Sequence, residues 1–298
     1  MELKWLPVGL VVGLFLGSLP GVGDRSLAAD SSGCVGWLRS HHSLDYPEHG
    51  CHEYRGVLES LAGEGASAIP LGGSRFYIAW FPEGWESQAH RVLIVTLHGS
   101  GGCAERMYRW WARPAAEHGY ALISLQYAWL NEAGEQVFSD AEGIYADLKV
   151  IFTSLEEHCP LEGTVVVLHG FSRGSARVLE LALLDRAEEG LKLFSAFVAD
   201  SGTGLAETGG ELPALLAAAP SGAYAGATFW LYCGGRDHGG KTCRDMRVLG
   251  PWLAEHGATV ITYRYEPGGH GIFSTVRPGG PPSPALAALL AFIESLKD

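Results

Sequence analysis

The pentapeptide Gly170-Phe171-Ser172-Arg173-Gly174 fits the pattern G-x-S-x-G, in which a serine on a tight strand-to-helix turn presents its hydroxyl as a nucleophile. A serine hydroxyl attacks poorly unless a base removes its proton, and that base in turn needs a carboxylate to orient it and to stabilise its charged form. Of the 12 histidines, His270 in "GGHG" (268–271) is the preferred base, with His238 its nearest rival. The preferred carboxylate is Asp237 in "CGGRD" (233–237), with Asp200 in "FVADSG" as second choice. Acyl transfer also needs N–H donors for a tetrahedral oxyanion. The loop "LHGSGG" (97–102) offers the amides of Gly99 or Ser100, and Arg173 supplies the amide that follows the serine. In a chain with 41 glycines such patterns arise by chance, so their positions must decide.

From residue 74 onward, strands and helices alternate. Apolar runs at 75–81, 91–97, 120–127, 164–170, 193–200, 228–234 and 260–267 read as strands. Helical stretches lie between them. Residues 140–158 carry Ile144, Leu148, Ile151 and Leu155 on one side, and Pro114 threatens a break in the helix ending at Gly119. Ser283 and Pro284 are placed to cap and start a final helix. Buried strands separated by helices predict one α/β domain, a mostly parallel central sheet with helices on both faces. Ser172 then falls at a strand-to-helix junction, with Asp237 and His270 just past two later strands. All three sit where loops gather at the carboxyl edge of such a sheet. The order Ser…Asp…His is that of the nucleophile elbow.

With "LHGSGG", "GFSRG", "CGGRD" and "GGHG" in this order, residues 74–298 resemble the α/β-hydrolase superfamily. The resemblance implies Ser172 as nucleophile, Asp237 as acid, His270 as base, and Gly99, Ser100 and Arg173 as oxyanion donors. Within the superfamily the chain looks most like secreted esterases of the polyhydroxybutyrate depolymerase and feruloyl esterase kind, although Arg173 stands where a small residue is common there. The expected activity is ester hydrolysis through an acyl-enzyme, on a small-molecule or polymeric ester, without a cofactor. The same machinery could cut peptides, and a non-catalytic hydrolase fold used for binding is the third reading. Phe171, Tyr127 and Trp129, with Trp110 and Trp111, are candidates to contact substrate.

A net charge of −12 without a Lys/Arg cluster argues against a nucleic-acid partner. The start "MELKWLPVGLVVGLFLG" reads as a secretion signal, cleaved after Ala29 or Gly23, with an uncleaved anchor as the alternative. A secreted or periplasmic protein with no stable membrane association is expected, comprising an extension at 30–73 and the domain at 74–298. Six cysteines suit disulfides in such a chain. Short loops suggest Cys34–Cys51 and Cys233–Cys243, leaving Cys103–Cys159. His41, His42, His49, Cys51 and His52 match no compact zinc spacing, so no metal is expected.

Overall fold

The computed structural model describes residues 33–43, 64–205, 212–275 and 280–298. The proposed signal segment, His49, Cys51 and His52 lie outside them. A seven-residue helix, α1 (Cys34–Ser40), precedes strands β1 (Ser67–Gly72), β2 (Arg75–Trp80) and β3 (Val92–Leu97). Then come α2 (Ala104–His118), β4 (Ala121–Gln126), a small hairpin of β5 (Ala128–Leu130) and β6 (Gln136–Phe138), and α3 (Ala141–Glu156). The chain continues through β7 (Val165–Phe171), α4 (Arg173–Arg186), β8 (Ala196–Asp200), the single turn α5 (Ala214–Ala217) and β9 (Thr228–Gly234). It closes with α6 (Lys241–Glu255), β10 (Thr259–Tyr265) and α7 (Pro284–Glu294).

Eight strands form one sheet in the order β1-β2-β4-β3-β7-β8-β9-β10. Only the β1–β2 and β2–β4 pairings are antiparallel. The parallel strands read as unbroken apolar runs because both faces are covered, and alternate side chains enter different layers. In β3, Leu93, Val95 and Leu97 pack with α1, α3, α4 and α6, whereas Val92 and Ile94 pack with α2 and α7. Ile144, Leu148, Ile151 and Leu155 are all buried. The Ser283 hydroxyl accepts from the Leu286 amide, with Pro284 opening α7.

Some expectations change. α2 runs through Pro114 without stopping. Residues 67–72, read as the tail of the extension, form the edge strand of the sheet, where Pro70 costs no needed ladder bond. Cys34 is bonded to Cys159, which corrects both the Cys34–Cys51 and the Cys103–Cys159 pairings. Short-loop reasoning fails here because packing of α1 beside the end of α3 brings two positions 125 residues apart to a Cα separation of 4.7 Å. Cys233–Cys243 is present, and Cys103 is also disulfide-bonded. His41 bonds the Trp37 carbonyl and His42 accepts from the Ala68 amide, so both imidazoles serve the local fold.

Candidate active site

Ser172 sits on the one-residue bend between β7 and α4, at φ 56° and ψ −113°. A non-glycine residue in this region costs about 1–3 kcal/mol and persists only where its surroundings enforce it. Three neighbouring glycines show the enforcement. A Cβ on Gly170 would lie 2.2 Å from the Gly174 carbonyl oxygen, one on Gly174 would lie 2.5 Å from the Leu97 oxygen, and one on Gly202 would lie 2.1 Å from the Ser172 oxygen. The elbow is thus wedged between the ends of β3 and β8, and the Ser172 amide donates to the Asp200 carbonyl at 2.8 Å.

His270 arrives on the loop after β10. Its Nε2 is 2.9 Å from Ser172 Oγ, and its Nδ1 is 2.9 Å from Asp237 Oδ1. Asp237 follows β9 and is 2% exposed, and its Oδ2 accepts from Thr242 Oγ1 at 2.7 Å. Each carboxylate oxygen thus has a donor, Oδ1 from His270 and Oδ2 from Thr242. Burial alone would push the Asp237 carboxyl up, but the hydrogen bonds from His270 and Thr242 outweigh it and hold the group below the usual carboxylate range. The hydrogen bond to Asp237 pushes His270 above the ordinary imidazole value. Burial opposes this, and the charges of Asp237 and Asp200 reinforce it.

Of the two carboxylates, Asp237 and not Asp200 bonds the His270 imidazole. It is His270, not His238, that bonds Ser172 Oγ, although the two rings lie 4.9 Å apart. His238 sits at φ 44°, its Nε2 3.6 Å from Asp237 Oδ1, with a side chain 67% exposed. Among the described residues, Asp237, His238 and His270 also form a group whose ligand atoms lie within 4.8 Å of one another. Two of the three are already committed to the chain of hydrogen bonds that ends at Ser172.

The glycine-rich loop lies against the elbow, where a Cβ on Gly99 would stand 2.8 Å from Ser172 Cβ. The Gly99 carbonyl accepts from Gly102 N at 3.0 Å and from His98 Nδ1 at 2.9 Å. Because the peptide is trans, the Ser100 N–H faces away from those two donors. Arg173 Nε donates to Ser100 Oγ at 2.9 Å, and its guanidinium rests 4.5 Å above the Phe138 ring.

Sequence reasoning missed two glutamines that hold this loop. Gln136, on β6, accepts from the Gly101 amide at 2.8 Å and donates to the Gly102 carbonyl at 3.2 Å. Gln126, at the end of β4, accepts from the Ala104 amide at 2.9 Å. A three-residue strand of mixed polarity leaves no periodic signal, so β5 and β6 were illegible as a hairpin.

Of the aromatic candidates, Tyr127 and Trp111 are fully buried, which removes them from the substrate surface. The Tyr127 hydroxyl donates to the His98 carbonyl beneath the loop, and the Trp111 indole donates to His169. Phe171 is clasped between the two loops: a Cβ on Gly99 would lie 3.1 Å from its ring, and one on Gly271 would lie 2.6 Å away. Trp110 packs edge-on against Phe171 and stacks on Phe273, and Trp129 is half-buried on β5. A cavity of about 300 Å³ opens beside Ser172 and His270, lined by Arg173, Thr203, His238, Lys241, Thr242 and Asp245 among others. Lys241 and Asp245 pair across 2.6 Å.

No protein-family model and no curated protein matches the chain. Solved structures do. A fungal esterase from Rhizomucor miehei aligns at 16% identity and TM-score 0.58 over 78% of this chain and 83% of its own. Brefeldin A esterase, a bacterial homologue of human hormone sensitive lipase, aligns at 18% and 0.58 over 78% and 76%. A carboxylesterase from Mesorhizobium loti aligns at 18% and 0.53 over 77% and 98%. At such identities the likeness is one of architecture. Together with the strand order and the elbow after β7, it shows that this chain has the α/β-hydrolase fold.

Proposed function

We propose that the protein hydrolyses carboxylic esters through a covalent acyl-enzyme. The observation that carries this reading is the unbroken line Ser172 Oγ, His270 Nε2, His270 Nδ1, Asp237 Oδ1, with 2.9 Å at each hydrogen bond. In this reading Ser172 Oγ attacks the ester carbonyl carbon while His270 Nε2 takes the hydroxyl proton. The carbonyl π pair moves to oxygen, and the amides of Ser100 or Gly99 and of Arg173 receive that oxyanion. His270 then gives its proton to the departing alkoxide, which leaves as the alcohol. Water then gives a proton to His270 as its oxygen bonds the acyl carbon; the second oxyanion collapses, the bond from that carbon to Ser172 Oγ breaks, and Oγ takes the proton back from His270 as the acid leaves. Asp237 remains ionised throughout and keeps the Nδ1 proton in place.

The cavity beside the nucleophile is small, which supports short acyl or alcohol groups over long chains. The two described disulfides and the bonded Cys103 support an exported protein in an oxidising compartment. The test is turnover of a short aryl ester beside the matching aminoacyl amide. Ester turnover that disappears in Ser172→Ala and His270→Ala supports the reading. Preference for the amide would move the assignment to a peptidase, and no Ser172-dependent turnover of either would leave a binding protein.

A further inference from the structure

The second-choice carboxylate, Asp200, is not idle. It ends β8, in register between Phe171 of β7 and Tyr232 of β9, and is fully buried. Its backbone carbonyl accepts from the Ser172 amide at 2.8 Å. Its side chain accepts from the Ile272 amide, 3.1 Å from each carboxylate oxygen, two residues beyond His270. The next residue, Ser201, accepts from the Gly271 amide at 2.9 Å. One strand end therefore grips both the turn that carries the nucleophile and the loop that carries the base.

Beneath Asp200 lies a fixed donor chain. The Trp111 indole N–H, which can only donate, reaches His169 Nδ1 at 2.9 Å. The proton of His169 is thereby placed on Nε2, which faces Asp200 Oδ2 at 3.3 Å. His169 thus links the Trp111 indole on one side to the Asp200 carboxylate on the other. Each of these contacts offers Asp200 a donor, as an ionised carboxylate requires. These donors surround a carboxylate that is fully buried, where electrostatic interactions act at low dielectric.

We propose that Asp200 is a second functional carboxylate of this site, a positioning residue that holds the Ser172 turn and the His270 loop together and supports the imidazolium formed on His270. The proposal rests on the Ser172–His270–Asp237 reading given above. His270 is faced by Asp237 and His238 beyond β9, by Ser172 from the β7–α4 turn, and by the Asp200 charge from β8. Asp200 is faced by His169 from β7 and by Tyr232 from β9. Burial, with the nearby Asp200 and Asp237 charges, pushes the Tyr232 phenol up and keeps it neutral. Asp200 is thus the anion besides Asp237 that acts on the base, and it contributes to the rise of the His270 pKa.

The experiment is the pH dependence of kcat/KM on p-nitrophenyl acetate for the wild type, Asp200→Asn and Ser201→Ala, with Ser172→Ala as the blank. Asp200→Asn is expected to lose about 10- to 100-fold in kcat, with KM within about threefold. Its acid limb is expected to move to lower pH, because the lost charge no longer favours the protonated imidazole. Ser201→Ala loosens the same loop but keeps the charge, so its rate should fall without that displacement. An Asp200→Asn limb that stays in place overturns the electrostatic role, and an unchanged rate overturns the positioning role.

Should Asp200→Asn fail to fold, Ser201→Ala still removes the hydroxyl that holds the Gly271 amide, and an unchanged rate there overturns the positioning role. A wild type with no Ser172-dependent turnover would instead remove the triad reading beneath it.

Discussion

In the proposed mechanism His270 must be neutral to accept the Ser172 proton, so its pKa would set the acid limb of the reaction. The hydrogen bond to Asp237 holds that value above 6.5, against the opposing effect of burial. Activity is therefore expected to fall as pH drops through a value above 6.5. The contribution of this pair to stability has the opposite dependence. A raised histidine favours the folded state fully below its unfolded pKa, and the effect fades as pH rises through the folded value. Asp237→Asn removes the carboxylate that fixes the Nδ1 proton. It is expected to cost about 10⁴-fold in kcat and to move the acid limb down, as read from a pH–rate profile. A limb left in place would show that another group sets the base. At this scale the sequence was informative: Ser172, Asp237 and His270 each follow a strand and are followed by turn-forming glycine or helix. Asp200 was legible only as a spare carboxylate, because its worth lies in backbone amides and a buried imidazole from distant segments.

The elements explain why those side chains meet. β7 must pass directly into α4 with no spare residue, and the crowding at Gly170 leaves no space for a methyl group, since a Cβ there would meet the Gly174 backbone. Gly170→Ala is expected to destabilise the protein by about 3 kcal/mol or more, as measured by denaturant unfolding. The β5–β6 hairpin holds the glycine-rich loop that lies against Ser172. Gln136→Ala removes the side chain that bonds both Gly101 and Gly102, and is expected to reduce kcat about tenfold with little change in KM. The parallel strands and α2, α3, α4, α6 and α7 were legible from their apolar runs and periodicity. The edge strand β1, with Pro70 inside it, and the short hairpin were not. Both take their conformation from the strands or loop they lie against, which local pattern does not encode.

At the scale of the whole molecule, the sheet sets the carboxyl ends of β3, β7, β8 and β9 side by side, and each contributes to the site. The Cys34–Cys159 bond ties α1 to the far end of α3, away from this edge, and encloses both β3 and the glycine-rich loop. Loss of so long a closed loop in Cys34→Ser/Cys159→Ser is expected to cost about 4 kcal/mol of unfolding free energy. The proposed esterase activity should persist in the molecules that remain folded. Cys233–Cys243 was legible from its short spacing, but Cys34–Cys159 was not, since short spacing favoured a partner 17 residues away and packing chose one 125 residues away.

In the proposed mechanism Ser172 is activated by His270 and Asp237. The most direct measurement is the intact mass of the protein after a fluorophosphonate probe, beside Ser172→Ala and His270→Ala. A single phosphonyl adduct on the wild type, absent from both variants, is the predicted result. A folded wild type that stays unlabelled, or an adduct that persists in Ser172→Ala, would contradict the account.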